Sequence, residues 1–150
     1  MYSTHNHTGL SNASRGFPDS SVKIEDLVKR AKLKNLSGIC ITDHEICASF
    51  VEAKNLEKEH DFDVILGNEI YLVTDKQYDL LKNDYKKGMY FPHFILIAKD
   101  KIGAFQLMEM STIAWVENSF TLNGLMRTPT KMSDIEKVIG DNKGHLIATS

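Results

Sequence analysis

Short apolar runs rich in isoleucine and valine alternate along this chain with stretches of helical periodicity, and that alternation restricts the fold most. The runs are Gly38-Ile39-Cys40-Ile41-Thr42, Asp63-Val64-Ile65-Leu66, His93-Phe94-Ile95-Leu96-Ile97-Ala98 and His145-Leu146-Ile147-Ala148-Thr149. The opening residues make a further candidate strand, and Glu69-Ile70-Tyr71-Leu72-Val73 continues the third region past Gly67. Runs this short and this apolar suit strands covered on both faces, as in parallel sheets. Between them, Ile24, Leu27, Val28 and Ala31 recur on one helix face, and Asn35 with Gly38 ends that helix. Phe50, Ala53 and Leu56 predict a second helix after Cys47, and Leu107, Met110 and Ala114 a third. Ser133-Asp134-Ile135-Glu136 reads as a capping box, with Ile135, Val138 and Ile139 facing inward and Gly140 as the stop. The polar stretches 74–91 and 118–132 read as loops or excursions.

Strand–helix alternation predicts an α/β protein with right-handed crossovers. A closed eight-stranded barrel takes about 250 residues. Five strand candidates in 150 residues therefore predict part of a barrel, and the final run at the very end of the sequence predicts a fragment. One domain, 1–150, is expected, large enough to bury a real core. A net charge of −2 excludes a chain-wide basic footprint for nucleic acid. A role on DNA would draw its phosphate grip from other segments. No run reaches the ~18 apolar residues of a membrane span, and MYSTHNHTGL lacks the apolar stretch of a signal peptide. Two cysteines, Cys40 and Cys47, are too few for a disulfide framework. A cytoplasmic chain with no membrane partner is expected.

Candidate chemistry gathers near the strand ends. His5 and His7 are two residues apart, so on a strand both imidazoles project to one side and can reach one cation. The alternative is a pair of exposed histidines in a frayed terminus. Asp43 and His44 directly follow the second strand; Asp43 could equally cap the next helix. Glu69 follows Gly67-Asn68, with an exposed strand-end charge as its alternative. His93 begins its strand, against the rule that barrel sites collect at the C-terminal strand ends, and could be a core histidine. His60 reads as a solvated helix end and His145 as structural. Cys40 reads as a small buried hydrophobe and Cys47 as structural. The aromatic residues look scattered, with no stacking platform for single strands. Imidazoles with a carboxylate suit Zn²⁺, Mn²⁺ or iron better than Ca²⁺. A bridging glutamate could hold two ions at roughly 3.5–4 Å.

As a set, HxHT at the first strand, TDH after the second and GxE after the third resemble the polymerase and histidinol phosphatase (PHP) superfamily. Within it, the chain is most similar to the N-terminal PHP domain of bacterial and phage replicative polymerases of the DNA polymerase III alpha type. Ile24 to Ala31 with Gly38 to His44, Leu66 to Tyr71, His93 to Lys99 and Gly144 to Ser150 carry that likeness. The resemblance implies a partial, distorted (β/α)7 TIM-like barrel of the PHP type, lacking its C-terminal strands. It implies metal ligands at His5, His7, His44, Glu69 and His93, with Asp19 as the acidic residue after the HxHT loop. Asp43 would be a partner that orients a ligand. Gly9-Leu10 stands where the family commonly has an acidic–aromatic pair. Also implied are divalent cations, Zn or Mn, two or three in a complete site. The parent protein would be a DNA-directed DNA polymerase in DNA replication, with a metal-dependent phosphoesterase site serving 3′–5′ exonuclease proofreading. DNA, through that parent, and other replisome subunits would be its partners. Two readings stay open beside this one: a stand-alone PHP phosphoesterase, and a noncatalytic module in which metal serves stability. No robust phosphodiesterase activity is expected of these 150 residues alone.

Overall fold

The computed structural model describes residues 1–12, 19–86 and 88–149. The first half alternates strictly: β1 (Tyr2–Asn6), α1 (Ile24–Leu33), β2 (Gly38–Ile41), α2 (Phe50–His60) and β3 (Asp63–Val73). These three strands pair in parallel, as the alternation predicts. Ile24, Val28 and Ala31 of α1 and Ala53 and Leu56 of α2 pack on Ile39, Ile41 and Val64 of the sheet. Burying each large aliphatic side chain there contributes about 1.5–3 kcal/mol.

Beyond β3 the expected parallel order gives way to a mixed sheet. After α3 (Asp75–Asn83) comes β4 (His93–Ala98), which runs antiparallel to β3 with Tyr71 opposite His93. The excursion through α3 leaves and re-enters at the same end of the sheet, so the returning strand must reverse. Then follow α4 (Lys101–Val116), a hairpin of β5 (Phe120–Leu122) and β6 (Leu125–Arg127), β7 (Thr130–Lys131), α5 (Met132–Ile139) and β8 (Leu146–Thr149). β8 lies antiparallel to β4, giving the order β1-β2-β3-β4-β8, with β7 pairing β3 off that path. The described strands thus form an open mixed sheet of α/β type, consistent with a partial barrel. Ser150, which follows the final apolar run, lies outside the described residues.

β3 is a single 11-residue strand, so Glu69 sits in its middle and not after its end. Asp63–Leu66 pair with β2, Gly67–Tyr71 with β4, and Leu72 and Val73 with β7. Gly67 allows this close passage: a Cβ there would lie 2.9 Å from both Cys40 Sγ and Thr42 Cγ2.

Both polar excursions contain regular structure. In the first, Thr74 Oγ1 accepts from Gln77 N (3.2 Å) while Gln77 Oε1 accepts from Thr74 N (2.9 Å), a capping box that starts α3. In the second, Asn123 and Gly124 both have positive φ, 52° and 78°, as a tight hairpin turn demands. The Ser133–Glu136 box does not form. β7 delivers the chain in extended conformation to Lys131, which caps α5 two residues earlier than expected. Asp134 therefore reaches back to Lys131 N (3.0 Å), and Ser133 Oγ donates to Asp75. α4 lays Leu107 and Met110 against Phe50, Ile70 and Leu96, with Ile135, Val138 and Ile139 of α5 alongside. Val73, Tyr78 and Leu81 form a third small core with Met89, Phe91 and Phe120. No described helix is long and apolar enough to cross a membrane.

Candidate metal centre

His5, near the end of β1, and His7, one residue past it, both reach the same carboxylate. His5 Nε2 and His7 Nε2 stand 2.9 and 2.6 Å from Glu69 Oε2. His44 arrives from beyond β2, where an isolated bridge pairs it with Glu69 across the sheet. Its Nε2 is 3.2 Å from the same oxygen. His93 Nδ1 takes the other oxygen, Oε1, at 2.6 Å. The reversal of β4 explains this placement: an antiparallel strand begins at the face where its parallel neighbours end. His93 thus satisfies the geometry that its position at a strand start seemed to break.

Asp19 approaches from the opposite side of His7. Its Oδ2 is 2.7 Å from His7 Nδ1 and 3.9 Å from His44 Nε2, and it accepts from Ser11 Oγ at 3.2 Å. Three overlapping triads result: His5 with His7 and Glu69, His7 with Asp19 and His44, and His44 with Glu69 and His93. Within each, the donor atoms lie within 4.8 Å of one another. Glu69 and His44 form the buried floor, whereas His5 and His93 are about half exposed at the rim.

Burial alone would raise the Glu69 carboxyl. The hydrogen bond from His7, the charge of His44 and hydrogen bonds from His5 and His93 outweigh it and hold Glu69 well below the ordinary carboxylate range. The reciprocal hydrogen bond from Glu69 raises His7, against burial and with help from Asp19. Four imidazoles and two carboxylates turned toward one another form a nitrogen-rich donor set of the kind that suits a divalent metal.

Among the described residues, Asp43 neither caps α2 nor hydrogen-bonds an imidazole. Its fully buried carboxylate accepts from Thr8 N (2.6 Å) and Thr8 Oγ1 (2.9 Å), fixing the residue after His7. Its carbonyl accepts from Asn68 Nδ2 (2.7 Å) and Glu69 N (3.2 Å). One residue thereby ties the ends of β1 and β2 to the middle of β3. His44 N donates to Ser11 Oγ at 3.1 Å.

Glu45 carries a role that its sequence position did not assign. It is fully buried at a left-handed φ of 54°. Its carboxylate accepts from Tyr71 N and from Thr130 Oγ1 (3.3 Å), and its carbonyl from Ser111 Oγ (2.9 Å) and Trp115 Nε1 (2.7 Å). Burial, more than these bonds can offset, pushes its carboxyl up to about 8. The available signal was an acidic residue between His44 and the apolar Ile46-Cys47.

The remaining candidates fall outside the cluster. His60 is half-buried instead of solvated, and its Nε2 has no partner among the described residues. His145 Nδ1 pairs with Asp100 Oδ2 at 2.7 Å, tying β8 to the start of α4. Burial pushes both Cys40 and Cys47 thiols up to about 12. The aromatic residues are not scattered. Tyr71 stacks on His44 (5.4 Å, 19°) and meets His93 (5.0 Å) and Phe91 (5.6 Å) edge-on. The excursions before β4 and after α4 bring together rings that lie far apart in sequence.

Comparison with known proteins finds relatives among replicative polymerases. The Bacillus subtilis protein named Probable DNA polymerase YorL is 36% identical over 159 aligned positions, covering 100% of this chain and 12% of that protein. The DNA polymerase III subunit alpha of Aquifex aeolicus is 34% identical over 106 positions, 68% of this chain and 9% of its own length. The chain thus spans only a small part of the curated relatives it matches. A solved structure named for a metal-dependent phosphoesterase of Bifidobacterium adolescentis superposes at a TM-score of 0.48 with 20% identity, over 76% of this chain and 34% of that one. The family profile described as the PHP domain matches residues 3–149, and the chain belongs to that family.

Proposed function

We propose that this chain is the N-terminal PHP portion of a DNA polymerase III alpha-type replicative polymerase, and that its cluster is a metal-dependent phosphoesterase site. The observation that carries the site is the Glu69 carboxylate, met by one nitrogen from each of His5, His7, His44 and His93. Those five residues and Asp19 would hold divalent cations, Zn or Mn, two or three in number. Bound there, the cations would supply an activated water and neutralise charge on a phosphoryl group. Asp19 holds His7 through Nδ1, leaving Nε2 turned toward Glu69. Asp43 acts one step removed, through Thr8 and the Glu69 backbone.

The names of the polymerase relatives support the parent activity and DNA as its substrate, and a place among replisome subunits in the cytoplasm belongs to the same reading. Proofreading by 3′–5′ hydrolysis is the use such a site has in that setting. The test is metal content of the purified chain. Wild type binds Zn or Mn stoichiometrically, and His7→Ala and Glu69→Ala each lose at least one equivalent. Unchanged stoichiometry in both variants defeats the assignment. The polymerase context is tested by sequencing onward in frame, where paired palm-type aspartates are expected.

A further inference from the structure

A cleft of about 360 Å³ opens beside the cluster and shares His93 with it, next to Tyr71, which stacks on His44. Tyr71 and His93 form its inner side. Tyr90 and Phe91 line it from the segment entering β4, and Asn123 and Arg127 from the β5–β6 hairpin. Its volume lies within the usual ~300–1,000 Å³ range of small-ligand sites.

The lining chemistry is selective. Half of the described lining residues are aromatic, and no carboxylate is among them. Arg127 lies over the Phe91 ring, its guanidinium carbon 5.2 Å from the centroid. Its buried Nε has no hydrogen-bond partner among the described residues. Tyr90 stands at the mouth 76% exposed, a large ring with most of its surface free. Such a site suits a flat aromatic ligand with polar edges and a negative charge. The negative end would face the histidines and the ring would enter the cleft.

We propose that this cleft takes one unpaired nucleobase, stacked on the Tyr90 and Phe91 side, while the attached phosphate lies toward His93. What the cluster then does to the phosphate rests on the phosphoesterase reading; base capture by the cleft does not. The base could belong to a free nucleotide or to the end of a single strand, since both present the same ring and phosphate. Stacking on an aromatic side chain is sequence-tolerant, because every base offers a π face.

The test is equilibrium binding to the metal-free 150-residue chain, so that failure of metal loading leaves it readable. Thymidine 5′-monophosphate is compared with deoxyribose 5-phosphate, which lacks only the base. The nucleotide should bind at least fivefold more tightly, the lower end of what one base–aromatic stack contributes. Tyr90→Ala should bring that ratio close to one, and Tyr90→Phe should retain it. The high exposure of Tyr90 lets both variants fold, as circular dichroism will verify. Equal affinities in wild type, or a ratio untouched by Tyr90→Ala, overturn the proposal. A four-residue oligothymidylate that binds more tightly than the mononucleotide supports it with a strand as the source. Equal affinity of those two supports it with a free nucleotide.

Discussion

Glu45 sits next to His44 with its backbone in the left-handed region, where side chains other than glycine cost about 1–2 kcal/mol. The surroundings over-determine that conformation: its N–H donates to Glu69 O at 2.9 Å, and Ser111 and Trp115 hold its carbonyl. Its carboxyl also makes stability depend on pH. The folded-state value of about 8 lies above the ordinary 4.5, so the folded protein binds the extra proton between those values. Stability therefore falls as pH rises across that window, by up to about 1.4 kcal/mol per unit. Glu45→Gln keeps an acceptor for Tyr71 N and offers Thr130 Oγ1 a donor. Urea midpoints of the metal-free chain at pH 6 and pH 8.5 should diverge for wild type and stay closer together in the variant. Parallel shifts in both proteins would show Glu45 ionised throughout. His5, His7 and His44 were legible in the sequence because period-2 alternation and strand-end position are local properties. Glu45 was not, since its partners Tyr71, Ser111, Trp115 and Thr130 come from four other parts of the chain.

The elements of the first half were readable for the same reason. Each of α1 and α2 announces its buried face by spacing, and each strand by its apolar run. The direction of β4 was not readable, because a buried strand looks alike from either end. What decides it is the length and path of the excursion from Thr74 to Pro92, a property of tertiary packing. α3 was within reach, since Thr74-x-x-Gln77 is a capping signature, hidden by the polar character of the helix behind it. Thr74→Ala removes the acceptor for Gln77 N and should cost about 0.5–2 kcal/mol, read as a lower urea midpoint with an unchanged slope. A midpoint equal to wild type would mean that α3 is held by Tyr78 and Leu81 alone. Gly67→Ala should be worse, because the added methyl meets β2 side chains and the β4 backbone together, about 1–3 kcal/mol by overpacking.

Across the whole molecule, the cluster adds a further tie between segments already joined by the sheet and by Asp43. β1, the β2–α2 junction, the centre of β3 and the start of β4 all converge on Glu69. A cation that binds the folded state alone adds stability by mass action, about 2.7 kcal/mol at a hundred times its dissociation constant. Addition of Zn²⁺ or Mn²⁺ should raise the melting temperature of wild type clearly more than that of His44→Ala. An equal rise in both would point to binding elsewhere. Trp115, the only tryptophan in the chain, donates to the carbonyl beside His44 from the far end of α4. The protein therefore has a built-in optical reporter at the seam between helix and histidine loop. Its emission needs no label, and a spectral shift on adding Mn²⁺ would follow the loop in real time.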